Sequence, residues 1–135
     1  MTPEADRFLE QARKLLARAV TMLGVGLNED AGRNAYLAAF HAAQALIFER
    51  TGKLFKTHNG VHAEFLRPTG NDPRVDAELR VFLSRAYGLK TIADYETGPR
   101  SELTAERAAE AVDAGERFVA HIAGVVAAPW PCISV

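Results

Sequence analysis

The chain has 135 residues, of which 48% are hydrophobic and 24% charged, with 16 basic against 17 acidic side chains. That is the length of one domain, able to bury roughly two-thirds of its unfolded surface, with the composition of an ordinary globular protein. A formal net charge of -1 supplies no overall basic field for nucleic acid or an anionic membrane, and the single cysteine, Cys132, excludes an intrachain disulfide and a Cys-rich zinc site.

The start, MTPEADRFLE, is acidic where a secretory signal needs basic and then apolar residues. No apolar run approaches ~18 residues, so a cytoplasmic protein without membrane spans is expected. Thr2 and Pro3 predict the cap and first position of a helix in which Phe8, Ala12, Leu15, Leu16, Ala19 and Leu23 recur at the 3.6-residue period. GVGLNED breaks that helix, and Asn28 is placed to cap a second, from about Glu29 to Thr51. Tyr36, Leu37, Phe40, Ala43, Ile47 and Phe48 spread its apolar surface over a wide arc, which predicts a central helix ended by Gly52.

Thr57 is positioned to cap a short third helix carrying Val61, Phe65 and Leu66. The turn RPTGND leads into a fourth, with Asp72 as cap, Pro73 at the first position and a stripe of Leu79, Phe82, Leu83, Ala86, Leu89 and Ala93. Thr104 caps a fifth, turning Ala108, Val112, Gly115, Val119, Ile122 and Val126 inward. No segment alternates with period two for the length of a strand, and the prolines flanking Trp130 cannot continue a helix. These signals predict an all-α, up-and-down bundle of four to five helices over residues 1–126, with a Pro-rich tail at 127–135.

Candidate chemistry is sparse. His41 lies mid-helix among Leu37, Ala38, Ala45 and Phe48, a setting for a buried imidazole held by one hydrogen bond or for a general base in a groove. Arg33, two turns earlier, can face the same cleft. His58 and His62 have the i,i+4 spacing of a zinc pair, but Asn59 stands in place of the HExxH glutamate and no cysteine is nearby, so no metal is expected. His58 also follows a predicted cap, where free N–H groups favour anions, with Lys53 and Lys56 close by. On the fourth helix, Lys90 precedes Asp94 in the weaker i,i+4 order, and Asp94 adds negative charge to a helix end that is already negative. Local helix physics does not select that arrangement.

In chain order, RNAYLAAFHAAQALIFERTGK, KTHNGV and RAYGLKTIADYE fall on successive predicted helices, and together they resemble the HEPN family of small helical bundles. The likeness is to its stand-alone bacterial and archaeal branch and runs over about residues 5–126. The resemblance implies a homodimer meeting along the second and fourth helices around a shared groove, RNA or a nucleotide as the ligand, and no cofactor. It also implies a minimal nucleotidyltransferase as the partner in a toxin–antitoxin pair. Active relatives are metal-independent endoribonucleases with an arginine, a polar residue and a histidine on the fourth helix.

Here Lys90 stands where the arginine is expected, and Asp94 with Tyr95 where the histidine falls. A lysine lacks the bidentate fork, and an ordinary aspartate is a weak base that repels phosphate. The two imidazoles His41 and His58 are therefore candidates to replace the missing histidine. The resulting expectations are His41, His58, Lys90 and Asp94 as catalytic, and Arg33, Lys53, Lys56, Arg85 and Tyr95 as substrate-binding. The expected function is an RNA- or nucleotide-binding component. Its alternatives are an active endoribonuclease toxin and a structural dimer without catalysis.

Overall fold

The computed structural model describes residues 1–69, 77–95 and 103–128, apart from the side chains of 67–69, 79, 80, 89 and 91–95. It contains α1 (Pro3–Gly24), α2 (Asn28–Thr51), α3 (His58–Thr69), α4 (Ala77–Tyr95) and α5 (Ala105–Ala127), with no strand among the described residues. The architecture is the expected all-α bundle. The predicted Asp72–Pro73 start, the side chains of Leu79, Leu89, Ala93, Asp94 and Tyr95, and the tail with Trp130 and Cys132 lie outside the described residues.

Three of the predicted caps form. Thr2 Oγ1 accepts the Ala5 N–H at 3.1 Å, Thr57 Oγ1 the Gly60 N–H at 3.0 Å, and Thr104 Oγ1 the Arg107 N–H at 3.1 Å. Each satisfies one of the backbone donors that a helix start leaves unpaired. Asn28 does otherwise. The chain leaves α1 through Gly26, at φ 82°, and the Leu27 N–H bonds the Met22 carbonyl at 2.9 Å. This tight turn puts Leu27 at the cap position and Asn28 already inside α2, with its Oδ1 buried and unpartnered among the described residues. Glu29 and Asp30 in the first turn supply the charge that suits the helix dipole instead. At the other end Gly52 takes the left-handed conformation, φ 71°, and its N–H bonds the Phe48 carbonyl at 2.8 Å.

α2 packs against all four other helices, as its apolar circumference requires. Its pairing with α1 is tied at both ends. The Thr2 N–H donates to Glu49 Oε1 at 2.7 Å, and Asn34 Nδ2 donates to Met22 Sδ at 3.3 Å. Phe118 of α5 meets Phe65 of α3 and Phe82 of α4, with ring centroids 5.7 and 5.1 Å apart, and so closes the far side of the core. Val61 and Phe65, four residues apart, take the inward stripe of α3; Leu66, a further 100° around the helix, is 46% exposed. No helix among the described residues is long and apolar enough to cross a membrane.

Gly115 marks a close helix approach. A Cβ there would lie 3.4 Å from the Ala35 Cβ, the Ala35 carbonyl oxygen and Leu16 Cδ2, so α5 touches both α2 and α1 at this point. Gly115→Leu is expected to destabilise the fold by about 1–3 kcal/mol through overpacking. Urea denaturation with an unchanged midpoint would contradict this close packing.

Candidate functional site

Tyr36 is fully buried on α2, and its hydroxyl lies 2.6 Å from His58 Nδ1 and 3.1 Å from His62 Nε2. The Thr57 cap makes His58 the first residue of α3, and the i,i+4 spacing places His62 one turn on along the same face. Gly60 lets this turn close tightly, because a Cβ on it would come within 2.8 Å of the Thr57 hydroxyl. Tyr87 of α4 completes the cluster. Its ring centroid is 5.3 Å from that of Tyr36, 5.0 Å from His58 and 5.6 Å from His62. Phe40, one turn after Tyr36 on α2, packs on His58 at 5.0 Å. Three helices thus contribute to a buried phenol overlaid by two half-buried imidazoles.

One hydroxyl can donate to one ring and accept from the other, and we assign the shorter contact, 2.6 Å to His58 Nδ1, as the Tyr36 O–H donation and the 3.1 Å contact as acceptance from His62 Nε2–H. On this assignment His62 carries its lone pair on Nδ1, which has no hydrogen-bond partner among the described residues. Burial and the adjacent His58 hold the His62 pKa below its ordinary value of 6.5, which favours the neutral ring. Burial, reinforced by Tyr87, pushes the Tyr36 pKa well above the usual tyrosine range, so this phenol keeps its proton.

The expected site residues are distributed unevenly around this cluster. His58 is in it. Lys90 is half-buried and follows Tyr87 by one turn of α4, and Arg33 precedes Tyr36 by one turn of α2. Lys53 and Lys56 are exposed in the loop leading to α3, and the Lys53 N–H donates to Thr51 Oγ1 at 3.1 Å. Arg85 is exposed, two residues from Tyr87 and so on another face of α4. Asp94 and Tyr95 belong to the last turn of α4, with side chains outside the described residues.

His41 has different neighbours. Its Nδ1 bonds Gln44 Oε1 at 2.7 Å, and Gln44 Nε2 donates to the Phe55 carbonyl at 2.8 Å. Both imidazoles touch Phe40, yet no hydrogen bond joins them among the described residues. Sequence reasoning singled out His58 and His62 but took Tyr36 for core and passed over Tyr87. The available signal was an aromatic on each of the two helices flanking the His-x-x-x-His turn.

The arrangement defines a class: a helical bundle with a polar aromatic cluster where α2, α3 and α4 meet. A family model described as the HEPN domain matches residues 5–124, and the chain belongs to the HEPN family. The chain is similar to TT1696 from Thermus thermophilus, whose crystal structure superposes with a TM-score of 0.77 at 26% identity, covering 91% of this chain and 98% of that one. No curated protein matches it.

Two outcomes test the cluster. Tyr36→Phe removes the shared hydroxyl and leaves two ring nitrogens without it, which is expected to cost about 1–3 kcal/mol in chemical denaturation. The pH dependence follows from His62. Its folded pKa lies below the unfolded 6.5, so the unfolded chain binds more protons in that window. The stability contribution is complete above pH 6.5 and is lost as pH falls through the folded pKa. Melting temperature should therefore drop on acidification from pH 7 to 5, by less in His62→Gln; parallel profiles for the two proteins would refute the assignment.

Proposed function

We propose that this chain is an RNA- or nucleotide-binding HEPN protein, homodimeric and paired with a minimal nucleotidyltransferase in a toxin–antitoxin system. Its ligand contacts are His58, His62, Tyr87 and Lys90. The observation that carries this reading is the pair of half-buried imidazoles joined through the Tyr36 hydroxyl at the start of α3. Imidazole edges, an aromatic ring and the backbone N–H groups of a helix start suit a phosphate and the base attached to it. Lys90, one turn beyond Tyr87, adds a cation on that side of α4. Arg33, one turn before Tyr36, serves the same purpose from α2.

The unpartnered His62 Nδ1 favours a second reading, an endoribonuclease. In-line cleavage requires a group that takes the proton from the ribose 2′-OH, with cationic charge beside the phosphate. A neutral imidazole with an open lone pair meets the first requirement, and Lys90 meets the second. In this reading Tyr36 and His58 orient the base and Asp94 is not needed as one.

The test uses fluorescein-labelled single-stranded RNA and the full-length protein. Anisotropy should report salt-dependent binding, weakened about tenfold by His58→Gln and by Lys90→Gln, or about 1.4 kcal/mol each. Equal affinity for wild type and both variants would remove the cluster from the reading. Cleavage of the same RNA by wild type but not by His62→Ala would establish the nuclease; intact RNA after prolonged incubation with wild type would end it. Co-expression with a minimal nucleotidyltransferase encoded beside this chain should give a co-purifying complex; the absence of such a gene, or failure of the two to associate, would count against the pairing.

A further inference from the structure

We propose that the groove between α1, α2 and the loop at 53–57 is a second ligand site, for a planar, amino-substituted heteroaromatic ring bearing an anionic group. The groove has a volume of about 380 Å³, within the range of small-molecule sites, and His41 lines it away from the Tyr36 cluster.

Phe8 and His41 line it with near-parallel rings, their planes 15° apart and their centroids separated by 6.4 Å. Phe48 and Leu54 supply further apolar lining. Leu54 is 46% exposed in the loop, an apolar side chain that the fold itself does not cover. Near-parallel rings beside aliphatic and aromatic side chains suit a flat guest, which stacks without a large loss of conformational freedom.

The polar atoms specify more. Gln44 is a buried polar side chain, 6% exposed, and its amide orientation is set by donation from Nε2 to the Phe55 carbonyl at 2.8 Å. Its oxygen must then face His41, so the His41 Nδ1–H is the donor in their 2.7 Å bond. The unprotonated His41 ring therefore has its lone pair on Nε2, which has no hydrogen-bond partner among the described residues. A donor on the guest, such as an exocyclic amine, satisfies it. Glu4 and Arg7 line the same groove one turn apart on α1, and no ion pair joins them among the described residues. The carboxylate accepts from the same amine-bearing edge, and the guanidinium takes the anion.

Adenosine 5′-monophosphate is a probe with these features. Carbon-correlated proton spectra of the histidine rings resolve His41 from His58 and His62, so the two sites are read in one titration. The nucleotide is expected to shift the His41 signals saturably, whereas inorganic phosphate alone leaves them in place. His41→Phe keeps the stacking ring and removes Nε2, and Arg7→Gln alters an exposed residue that the core does not need. Each should weaken binding at least tenfold; Arg7→Gln does so with an unchanged melting temperature, whereas His41→Phe also leaves the buried Gln44 oxygen without its donor and lowers the melting temperature, so Arg7→Gln decides. Shifts confined to His58 and His62, or wild-type affinity in Arg7→Gln, would overturn the proposal. A silent His58–His62 pair with a responsive His41 would count against the first site alone.

Discussion

α2 keeps only a narrow partly exposed stripe, Arg33, Leu37, His41 and Phe48. Ala35, Ala38, Ala39, Ala42, Ala43, Ala45, Leu46 and Ile47 are buried over the wide remaining arc, and the other four helices are what keep water from them. Most of these side chains are methyl groups, so the surrounding helices approach closely, as at Gly115. The gain is dispersion and burial spread over many small contacts. The consequence is geometric: a polar group on the buried sides of α2 has to find its partner within the fold and not in water.

Tyr36 is the clearest case. A phenol at zero exposure needs a hydrogen-bond partner, and α3 supplies two imidazoles for one hydroxyl. The arrangement holds a single proton between Tyr36 and His58 while His62 donates into the same oxygen. Protonating both rings would leave the phenolic hydrogen without either nitrogen and set two like charges within one turn. The packing requirement of α2 and the electrostatics of the site are therefore the same constraint seen from two sides.

The loop at 52–57 links the two polar regions of the molecule. Gly52 turns the chain off α2, Gln44 grips the Phe55 carbonyl, and Thr57 starts α3 with His58 in its first turn. Leu54 reaches one groove while His58 reaches the other cluster. Gln44 is thus a positioning residue in both directions: it fixes the His41 tautomer and anchors the backbone that carries His58.

Much of this was legible in the order of residues. Helix starts were readable wherever a threonine hydroxyl could reach the third N–H beyond it, as at Thr2, Thr57 and Thr104, because capping is local chemistry. The central place of α2 followed from its wide apolar arc, and family membership from three motifs in order. Asn28 shows the limit, since the bond from Leu27 back to Met22 moved the helix start by one residue and left the expected cap inside it. The site belongs to tertiary structure. His58, His62, Tyr36 and Tyr87 are separated by up to 51 positions, and nothing in their spacing says that a buried hydroxyl will need two imidazoles. Sequence by itself determined which stretches are helical and which faces avoid water. Only packing decided which polar atoms are left facing one another, because that depends on how three helices pack together and not on the period of any one.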